Sequence, residues 1–398
     1  MPTVSVVLSS YNHEKFINDS IKSILNQTFD DFELIIIDDC SSDSSWEIIQ
    51  SYKDSRIRAI RMPKNTGAGY WKDIPDMAKG EFIAIAHSDD YWRMDKLEKQ
   101  YSYMLEHPTV GACFSEVVVI DDSGTPLCDE KNLYCSVFKQ KNRDRFQWLR
   151  FFFVNGNCLC HPSVFIRKEL YYECGLQTSG LSGLPDFCQW IRVCLYHDIY
   201  IYHDTLTFFR VHGGGENTSA DTIEKRRRLV VEEYLLYSEF LKISREDEFI
   251  QVFPEAEEYK IDGKILIPFA FAKIMLEMPK KHCKLYGLQL LYCLFQNPKC
   301  KLRIIENYKY DLNSFDYDKQ RFAIFDESEE YVKLNLCLEE QLNVVKQRLE
   351  ESVVQLSENK KQLEECNRRL QEIQESFFWR STMPFQKAVR FIKRIFNI

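Results

Sequence analysis

The chain has 398 residues, a length that at about 150 residues per domain allows two or three domains. It carries 52 Lys and Arg against 60 Asp and Glu, and the net charge of −8 disfavours a general nucleic-acid binder. Hydrophobic residues make up 45% of the chain, which excludes a disordered or collagen-like protein. We therefore expect most of the chain to fold.

The cysteine pattern and the apolar runs bear on the cellular compartment and on whether the chain spans a membrane. The 14 cysteines are scattered, and the first residues lack the basic and apolar regions of a signal peptide, so reduced cytoplasmic thiols are the simpler interpretation. No run approaches the ~18 apolar residues of a membrane-spanning helix. The nearest, residues 265–276, is short and contains Pro268 and Lys273. We expect no membrane-spanning segment.

Short apolar runs alternate with helical patterns in the first hundred residues. β-Branched runs separated by helices are typical of parallel strands that are buried on both faces. This pattern predicts an α/β domain that binds ligands at the carboxyl ends of its strands. The predicted strands are residues 4–8, 34–37, 57–62 and 82–86, and the predicted helices are residues 14–25, 44–52 and 95–105.

Acidic residues follow two of these strands. Asp38 and Asp39 come after the second strand, where a carboxylate either accepts hydrogen bonds from a nucleobase or ribose or caps the next helix. Asp89 and Asp90 follow the fourth strand and offer the oxygen ligands with which Mg²⁺ or Mn²⁺ could bridge a diphosphate. Further along, Asp186 precedes a helical stretch and is either a reactive carboxylate or a helix cap.

The pattern changes twice after the α/β region. Strand signals largely stop near residue 220, so we predict an α/β domain in residues 1–220 and a helical domain in residues 221–327. A heptad repeat in residues 328–378 predicts a coiled coil that makes a homo-oligomer, although a single helix folded back on the body also fits. The apolar residues that recur every seven positions are Leu342, Leu349, Leu356, Leu363, Leu370 and Phe377.

Residues 379–398 have a basic and amphipathic pattern without any acidic residue. A helix that starts after Pro384 places its apolar side chains on one face and its basic side chains on the other. Such a helix suits an anionic membrane surface, where each basic residue contributes about 1 kcal/mol. A helix that caps the body or binds a partner is the alternative. The basic residues are Arg380, Lys387, Arg390, Lys393 and Arg394.

Several short motifs occur in order along about the first 215 residues. They are residues 4–12 (VSVVLSSYN), 23–28 (SILNQT), 34–43 (LIIIDDCSSD), 65–67 (NTG), 78–83 (AKGEFI), 88–90 (SDD), 96–100 (KLEKQ), 161–163 (HPS), 186, 190–192 (WIR) and 210–214 (RVHGG). In this order they resemble the family 2 glycosyltransferases, which have a GT-A fold, Rossmann-like with a mostly parallel sheet. Each motif is weak alone, but their number and order make the resemblance specific.

The resemblance implies an inverting transfer of a sugar from a nucleotide-sugar donor to a hydroxyl of a glycan acceptor. It implies Mn²⁺ or Mg²⁺ as the cofactor, held by Asp90 and Asp89 and approached by His212, and it implies Asp186 as the catalytic base. The residues that it implies for donor binding are Ser9, Tyr11, Asp39, Asn65, Gly67, Lys72 and Asp89.

Three positions depart from the family pattern. His87 stands where many members carry the first acid of a DxD motif, Pro185 replaces an acid that is common before the base, and Lys72-Asp73 replace a frequent Arg-Asn pair. These departures keep open a catalytically silent scaffold that acts through its coiled coil. A nucleotidylyltransferase is disfavoured because the first strand is not followed by a Gly-rich basic loop.

A second resemblance covers residues 376–384 (SFFWRSTMP). They look like the Trp-Arg-x-Thr-x-Pro segment that follows a coiled coil in bacterial surface-polysaccharide glycosyltransferases. With the basic helix, this implies a cytoplasmic protein that is peripheral on the inner face of the cytoplasmic membrane. Its acceptor would be a lipid-linked or membrane-proximal glycan.

Overall fold

The computed structural model describes residues 1–67, 69–127, 133–177, 180–212, 222–322, 324, 327–375 and 383–396. The chain divides into two compact units, Met1–Ile324 and Phe325–Ile398. The described part of the first unit contains a mixed sheet with helices around it, and that of the second unit is helical.

One sheet lies at the centre of the first unit. Among the described residues its strands are β1 (Val4–Ser10), β2 (Phe32–Asp38), β3 (Ile57–Arg61), β4 (Phe82–His87), β5 (Tyr91–Trp92), β6 (Val110–Ile120), β7 (Phe165–Arg167) and β8 (Asp198–Arg210). Their order is β3-β2-β1-β4-β7-β6-β8-β5. The pairs β1–β2, β1–β4, β2–β3 and β6–β8 are parallel, whereas β4–β7, β6–β7 and β5–β8 are antiparallel. The predicted α/β architecture is therefore confirmed.

Helices cover both faces of this sheet and continue after it. Those of the first unit are α1 (Ile17–Leu25), α2 (Ser45–Ser51), α3 (Ile74–Met77), α4 (Lys96–Glu106), α5 (Leu133–Val137), α6 (Arg145–Asn155), α7 (Leu170–Glu173), α8 (Pro185–Cys194), α9 (Ile223–Phe240), α10 (Glu246–Val252), α11 (Ile267–Glu277), α12 (Lys281–Gln296), α13 (Pro298–Tyr308) and α14 (Leu312–Arg321). Short 3-10 helices span Gly69–Asp73, His161–Ser163 and Pro254–Tyr259.

Side chains from the apolar runs of the central strands pack into two separate hydrophobic cores. Val7 and Ile35 belong to one buried cluster, whereas their neighbours Val6 and Ile36 belong to another. Successive side chains of a strand point to opposite faces, so both faces of the sheet must be covered by apolar groups. This burial on both faces explains why the runs are continuous in the sequence.

The first helix begins later than its pattern predicts. We expected a helix over residues 14–25, but α1 starts at Ile17. The preceding loop is tied to the segment after β2: the amides of His13 and Glu14 donate hydrogen bonds to Ser45 Oγ and Asp43 Oδ2, both at 2.9 Å. These long-range contacts hold the loop at the carboxyl end of β1.

The register of the strands brings their carboxyl ends to one edge. Ser9 of β1 lies beside Ile37 of β2 and His87 of β4. The short strand β5 pairs Tyr91 with Phe208 of β8, which brings the end of β8 to the loop after β4. The candidate site residues that follow β1, β2, β4 and β8 therefore lie along this edge.

The sheet and the helical region, residues 222–324, share one core. Leu236 and Phe240 of α9 are buried in the same cluster as Phe152 of α6 and Trp190 of α8. The domain boundary predicted near residue 220 falls in residues 213–221, which lie outside the described residues. On either side of it the chain belongs to the same compact unit.

The second unit contains α15 (Glu327–Glu375) and α16 (Met383–Phe396). At 1.5 Å per residue, the 49 residues of α15 extend about 74 Å. Where side chains are described, the heptad leucines are exposed; Leu349 is 63% exposed and Leu356 is 67% exposed. The coiled coil remains a prediction. No helix of the described residues has both the length and the apolar content that crossing a membrane requires.

Candidate active site

The turn after β2 gives two adjacent aspartates different partners. Asp38 is fully buried, and its carboxylate accepts hydrogen bonds from the Ser41 amide, at 3.0 Å, and from the Ser41 hydroxyl. Arg61 Nε lies 3.5 Å from the same carboxylate. The N-cap of α2 is Ser44, without a capping side-chain hydrogen bond. Asp38 therefore stabilises the turn itself and does not cap α2.

Asp39 faces the loop after β3. Its carboxylate accepts hydrogen bonds from the Thr66 amide at 3.0 Å and from the Thr66 hydroxyl at 2.8 Å. In that loop Asn65 Oδ1 accepts a hydrogen bond from the Gly67 amide at 2.8 Å. Gly67 has a φ of +58°, a conformation that strains residues with a side chain. The structure thus brings Asp39, Asn65 and Gly67 together.

Tyr70, which the sequence analysis missed, links Ser9 to this group. Its ring is buried, and its hydroxyl shares a hydrogen bond with the Ser9 side chain. Burial, and then the negative charge of Asp39, raise the pKa of Tyr70. Tyr11 is exposed at the end of β1, and Lys72 is exposed on the 3-10 helix that follows the loop.

The loop after β4 carries the first group of side chains that could hold a metal. His87, Asp89 and Asp90 offer ligand atoms that all lie within 4.8 Å of one another. Asp90 Oδ1 accepts a hydrogen bond from the Arg210 amide at 2.7 Å. Asp90 Oδ2 is buried and has no hydrogen-bond partner in the part of the chain that the structure describes. Its distance from His87 Nδ1 is 3.9 Å.

This arrangement fits a divalent cation. Burial, followed by the charge of Asp89, raises the pKa of Asp90 well above its usual range. A buried carboxylate oxygen without a partner is costly unless a proton or a cation compensates it. Carboxylate oxygens are the ligands that Mg²⁺ and Mn²⁺ prefer. The residues present therefore suit the cofactor that the resemblance implies.

A second group lies beside the first and shares Asp89 with it. His13, Asp89 and His212 also offer ligand atoms within 4.8 Å of one another. His212 Nε2 lies 3.2 Å from Asp89 Oδ2, and His212 Nδ1 lies 2.6 Å from Asp122 Oδ1. Hydrogen bonding to Asp89 raises the pKa of His212 against the effect of burial, and Asp122 adds to it. A carboxylate on one ring nitrogen commonly orients a histidine toward a metal.

The sequence analysis missed one member of this second group, His13, and the residue that binds His212, Asp122. His13 directly follows the motif that contains Tyr11, and its position next to that motif was the available signal. Asp122 stands in the turn after β6 and belongs to no quoted motif. Only the fold shows that this turn meets the end of β8.

Asp186 is near the start of α8, as predicted for a residue before a helical stretch. Its Oδ2 accepts a hydrogen bond from Asn157 Nδ2 at 2.9 Å. Burial raises the pKa of Asp186, while the Phe187 amide and Asn157 oppose this by donating hydrogen bonds to the carboxylate. A carboxylate of raised pKa is a stronger proton acceptor than an ordinary aspartate, which suits a general base.

His87, a member of the first metal-binding group, also belongs to an aromatic cluster. Its ring centroid lies 5.3 Å from that of His161 and 6.4 Å from that of Trp71. Burial, followed by the proximity of His161, lowers the pKa of His87 to about 4, and Asp186 acts on it electrostatically in the opposite direction. The charge of the candidate base therefore acts on a member of the candidate metal-binding group.

Comparison with known proteins identifies the family. Residues 5–168 match the family model described as glycosyl transferase family 2. This part of the chain belongs to glycosyltransferase family 2. The matched residues include β1 to β4, the loop with Asp89 and Asp90, and the segment of His161.

Curated relatives agree with this assignment over part of their length. TuaG of Bacillus subtilis, a glycosyltransferase whose name assigns it to teichuronic acid biosynthesis, is 38% identical over 129 residues, 32% of this chain and 51% of the relative. The UDP-Glc:α-D-GlcNAc-diphosphoundecaprenol β-1,3-glucosyltransferase WfaP of Escherichia coli is 39% identical over 105 residues, 26% of this chain and 42% of the relative. The chain thus spans about half the length of these relatives.

A solved structure has a similar fold. The crystal structure of S. aureus TarS 1–349 in complex with UDP-GlcNAc has a TM-score of 0.51 and 17% sequence identity. The similarity covers 80% of this chain and 93% of the TarS chain. At this identity the comparison supports the fold alone, and it extends beyond the residues that match the family model.

The first unit has a cavity of about 910 Å³ next to the second metal-binding group. Of the predicted site residues in the described chain, Tyr11 and His212 line it, whereas Asp39 and Asp186 do not. Its volume lies in the ~300–1,000 Å³ range of small-molecule sites. The lining contains both acidic and basic side chains: His13, Glu14, Lys15, Asp19, Lys22, Asp43, Asp122, Arg210 and His212.

Proposed function

We propose that the chain is a metal-dependent, inverting glycosyltransferase that moves a sugar from a nucleotide-sugar donor to a hydroxyl of a glycan or lipid-linked glycan. The observation that carries this proposal is the position of His87. It lies 3.9 Å from Asp90 Oδ2 and interacts electrostatically with Asp186. We therefore place donor activation and proton removal on the two sides of His87.

The donor would lie along the edge of the sheet. Asp39 and Ser9 would hold the nucleobase, with Tyr11 beside it, while Asn65 and Gly67 would border the donor from the loop after β3. Support comes from the contacts that join Asp39 to this loop and Ser9 to Tyr70. Lys72 would supply positive charge near the phosphates.

Asp90 and Asp89 would hold Mn²⁺ or Mg²⁺, with His87 or His212 as a further ligand. When bound, the cation neutralises the negative charge that develops on the diphosphate leaving group. His87 would thus be a metal ligand at the position where many family members carry an acid. Arg210 would keep Asp90 in place through the hydrogen bond from its amide.

Asp186 would remove the proton from the acceptor hydroxyl as it attacks the anomeric carbon. Attack from the side opposite the leaving diphosphate inverts the anomeric centre. Pro185 departs from the family pattern, but proline is favoured in the first turn of a helix and α8 begins with it. The departure therefore does not argue against Asp186 as the base.

We expect a screen of nucleotide sugars with Mn²⁺ to identify the donor. A bound donor stabilises the folded chain by mass action and so raises its melting temperature. At a donor concentration of 100 times the dissociation constant, the free energy of unfolding rises by about 2.7 kcal/mol. The same donor should then be hydrolysed or transferred with Mn²⁺ and not with a chelator. A panel in which no nucleotide sugar is consumed would instead support the catalytically silent scaffold.

The second unit suggests a membrane-proximal setting. In α16 the described side chains Phe391 and Ile392 are 67% and 54% exposed beside Lys387, Arg390 and Lys393. We propose that this helix lies on the anionic inner face of the cytoplasmic membrane. We propose further that the exposed leucines of α15 pair with a second copy in a coiled coil. The named acceptor of WfaP, a diphosphoundecaprenol lipid, supports a role in building surface polysaccharide at that membrane.

Three lengths of the chain test these two proposals together. The full chain should be oligomeric and should co-sediment with phosphatidylglycerol vesicles. A chain that ends at residue 382 lacks α16 and should be oligomeric without co-sedimenting. A chain that ends at Ile324 lacks α15 as well and should be monomeric. Light scattering and vesicle sedimentation measure this, with phosphatidylcholine vesicles as the control. Sedimentation that survives loss of α16 contradicts the anchor, and a monomeric full chain contradicts the coiled coil.

A further inference from the structure

A carboxylate from a different helix holds the turn before α8. Glu232 of α9 is 4% exposed. Its Oε1 accepts hydrogen bonds from the Ser182 amide at 2.9 Å and from the Ser182 hydroxyl at 3.2 Å. Its Oε2 accepts hydrogen bonds from the Gly183 amide at 2.9 Å and from the Leu184 amide at 2.7 Å. One buried side chain thus binds three consecutive backbone amides.

The start of α8 lacks a capping side chain of its own. Its N-cap is Leu184, which makes no side-chain hydrogen bond, and Pro185 follows without an amide hydrogen. Negative charge is favoured at a helix N-terminus, and hydrogen bonds to an ionised carboxylate are about twice as strong as neutral ones. Glu232 therefore holds the backbone that leads into α8, since the three amides that it binds belong to the N-cap Leu184 and the two residues before it.

The packing at Gly183 shows how closely this turn approaches α9. A Cβ atom added at Gly183 would lie 3.1 Å from Arg228 Nε, 3.1 Å from Leu229 Cδ2 and 3.3 Å from Glu232 Oε2. These separations are tighter than ordinary van der Waals contact. The absence of a side chain lets the backbone amide of Gly183 reach the carboxylate.

We propose that Glu232 is a positioning residue that fixes the turn from which Asp186 extends. The proposal rests on the proposed function, in which Asp186 is the base. Asp186 comes two residues after Leu184, so a shift of the turn shifts its carboxylate. A misplacement of about 1 Å at a reacting group costs on the order of 100-fold in rate. The helical region therefore takes part in catalysis through α9, although it contributes no group to the reacting atoms.

The substitution Glu232→Gln tests this. Its amide keeps the shape of the side chain, but in either orientation the NH₂ group faces backbone amides that also donate. We expect kcat to fall by about tenfold or more, while the KM for the donor changes by less than about threefold, because donor contacts lie elsewhere. The acid limb of the pH profile should also move to lower pH, because a looser turn hydrates Asp186.

The matched control is Glu239→Gln on the same helix. Glu239 is also buried, and it also joins α9 to α8, through hydrogen bonds at 2.7 and 2.9 Å from Arg192. Among the described residues its hydrogen bonds come from Arg192 and Lys242 and not from the turn before Asp186. We expect this variant to lose stability but to keep kcat and the acid limb of the unchanged chain. An equal loss of kcat in both variants would overturn the proposal, as would an unchanged kcat in Glu232→Gln.

A second variant keeps the test decisive if Glu232→Gln does not fold. Gly183→Ala keeps the carboxylate but crowds the side chains of Arg228, Leu229 and Glu232, which disturbs the contact between the turn and α9, so kcat should again fall with the donor KM nearly unchanged. A kcat equal to that of the unchanged chain would contradict the role of this turn. Failure of the base assignment and failure of the positioning role can be told apart. Full activity of Asp186→Asn would remove the base and with it the positioning role, whereas an inactive Asp186→Asn with a fully active Glu232→Gln removes only the positioning role.

Discussion

Replacing Asp186 by asparagine should lower kcat for sugar transfer by about 10²–10⁴-fold, the usual contribution of a positioned general base. Asparagine keeps the size of the side chain and its ability to accept a hydrogen bond at the helix start, but it cannot take the proton of the acceptor hydroxyl. The affinity for the donor should remain near that of the unchanged chain. Steady-state kinetics with the donor found by the screen would measure both quantities.

The pH profile adds a signature to this prediction. Burial raises the pKa of Asp186, so its carboxylate gains a proton at a higher pH than an ordinary aspartate does. As the pH falls through that raised pKa, the base is lost and kcat should decline on the acid side. In Asp186→Asn this limb should disappear from whatever activity remains.

The control for Asp186→Asn is Asp144→Asn. Asp144 is also at a helix start, where it accepts a hydrogen bond from the Gln147 amide at 2.8 Å, but it belongs to no candidate site. Asparagine is an equally good N-cap, so this variant should keep both stability and kcat. Turnover of Asp186→Asn that matches that of Asp144→Asn would rule out the assigned base.

The second large effect concerns Asp90. In Asp90→Asn the oxygen that faces the Arg210 amide can remain, but the negative charge that would bind the cation is lost. We expect Mn²⁺ affinity to fall by at least about 100-fold, because loss of an outer-shell partner alone costs ~10–100-fold. Titration calorimetry would measure this without a turnover assay. Activity at fixed Mn²⁺ should fall with the affinity.

A buried aspartate outside the site controls for loss of stability. Asp318 of α14 is 3% exposed and pairs with Lys273 Nζ at 2.9 Å. Asp318→Asn removes a buried charge as Asp90→Asn does, but it should leave Mn²⁺ binding unchanged. Unchanged Mn²⁺ affinity in Asp90→Asn would show that the cation is held elsewhere.

The strands that carry the site were predictable because their signals are local. The runs that form β1, β2 and β4 are continuous and apolar, and the acids that follow them stand at fixed short distances along the chain. The start of α1 was not predictable in the same way, since it depends on hydrogen bonds to residues of a distant turn. Local pattern therefore predicts which strands exist better than where helices begin.

Within the site, the parts that escaped prediction depend on contacts between distant segments. Asp122 binds His212 only because β6 and β8 pair side by side. Glu232 lies far beyond the last motif of the family, and nothing in its neighbourhood marks it as different from other acids on the same helix. Such partners are determined by tertiary packing, which a single sequence does not display.

The core shared by the sheet and the helical region bears on how this chain could be recombined with its relatives. The family model ends at residue 168, and the strand pattern ends near residue 220, but the compact unit continues to Ile324. In a chimaera joined near residue 168 or residue 220, the hydrophobic core would be formed by side chains from two different proteins. An exchange of this region between related chains should therefore move residues 1–324 as a whole.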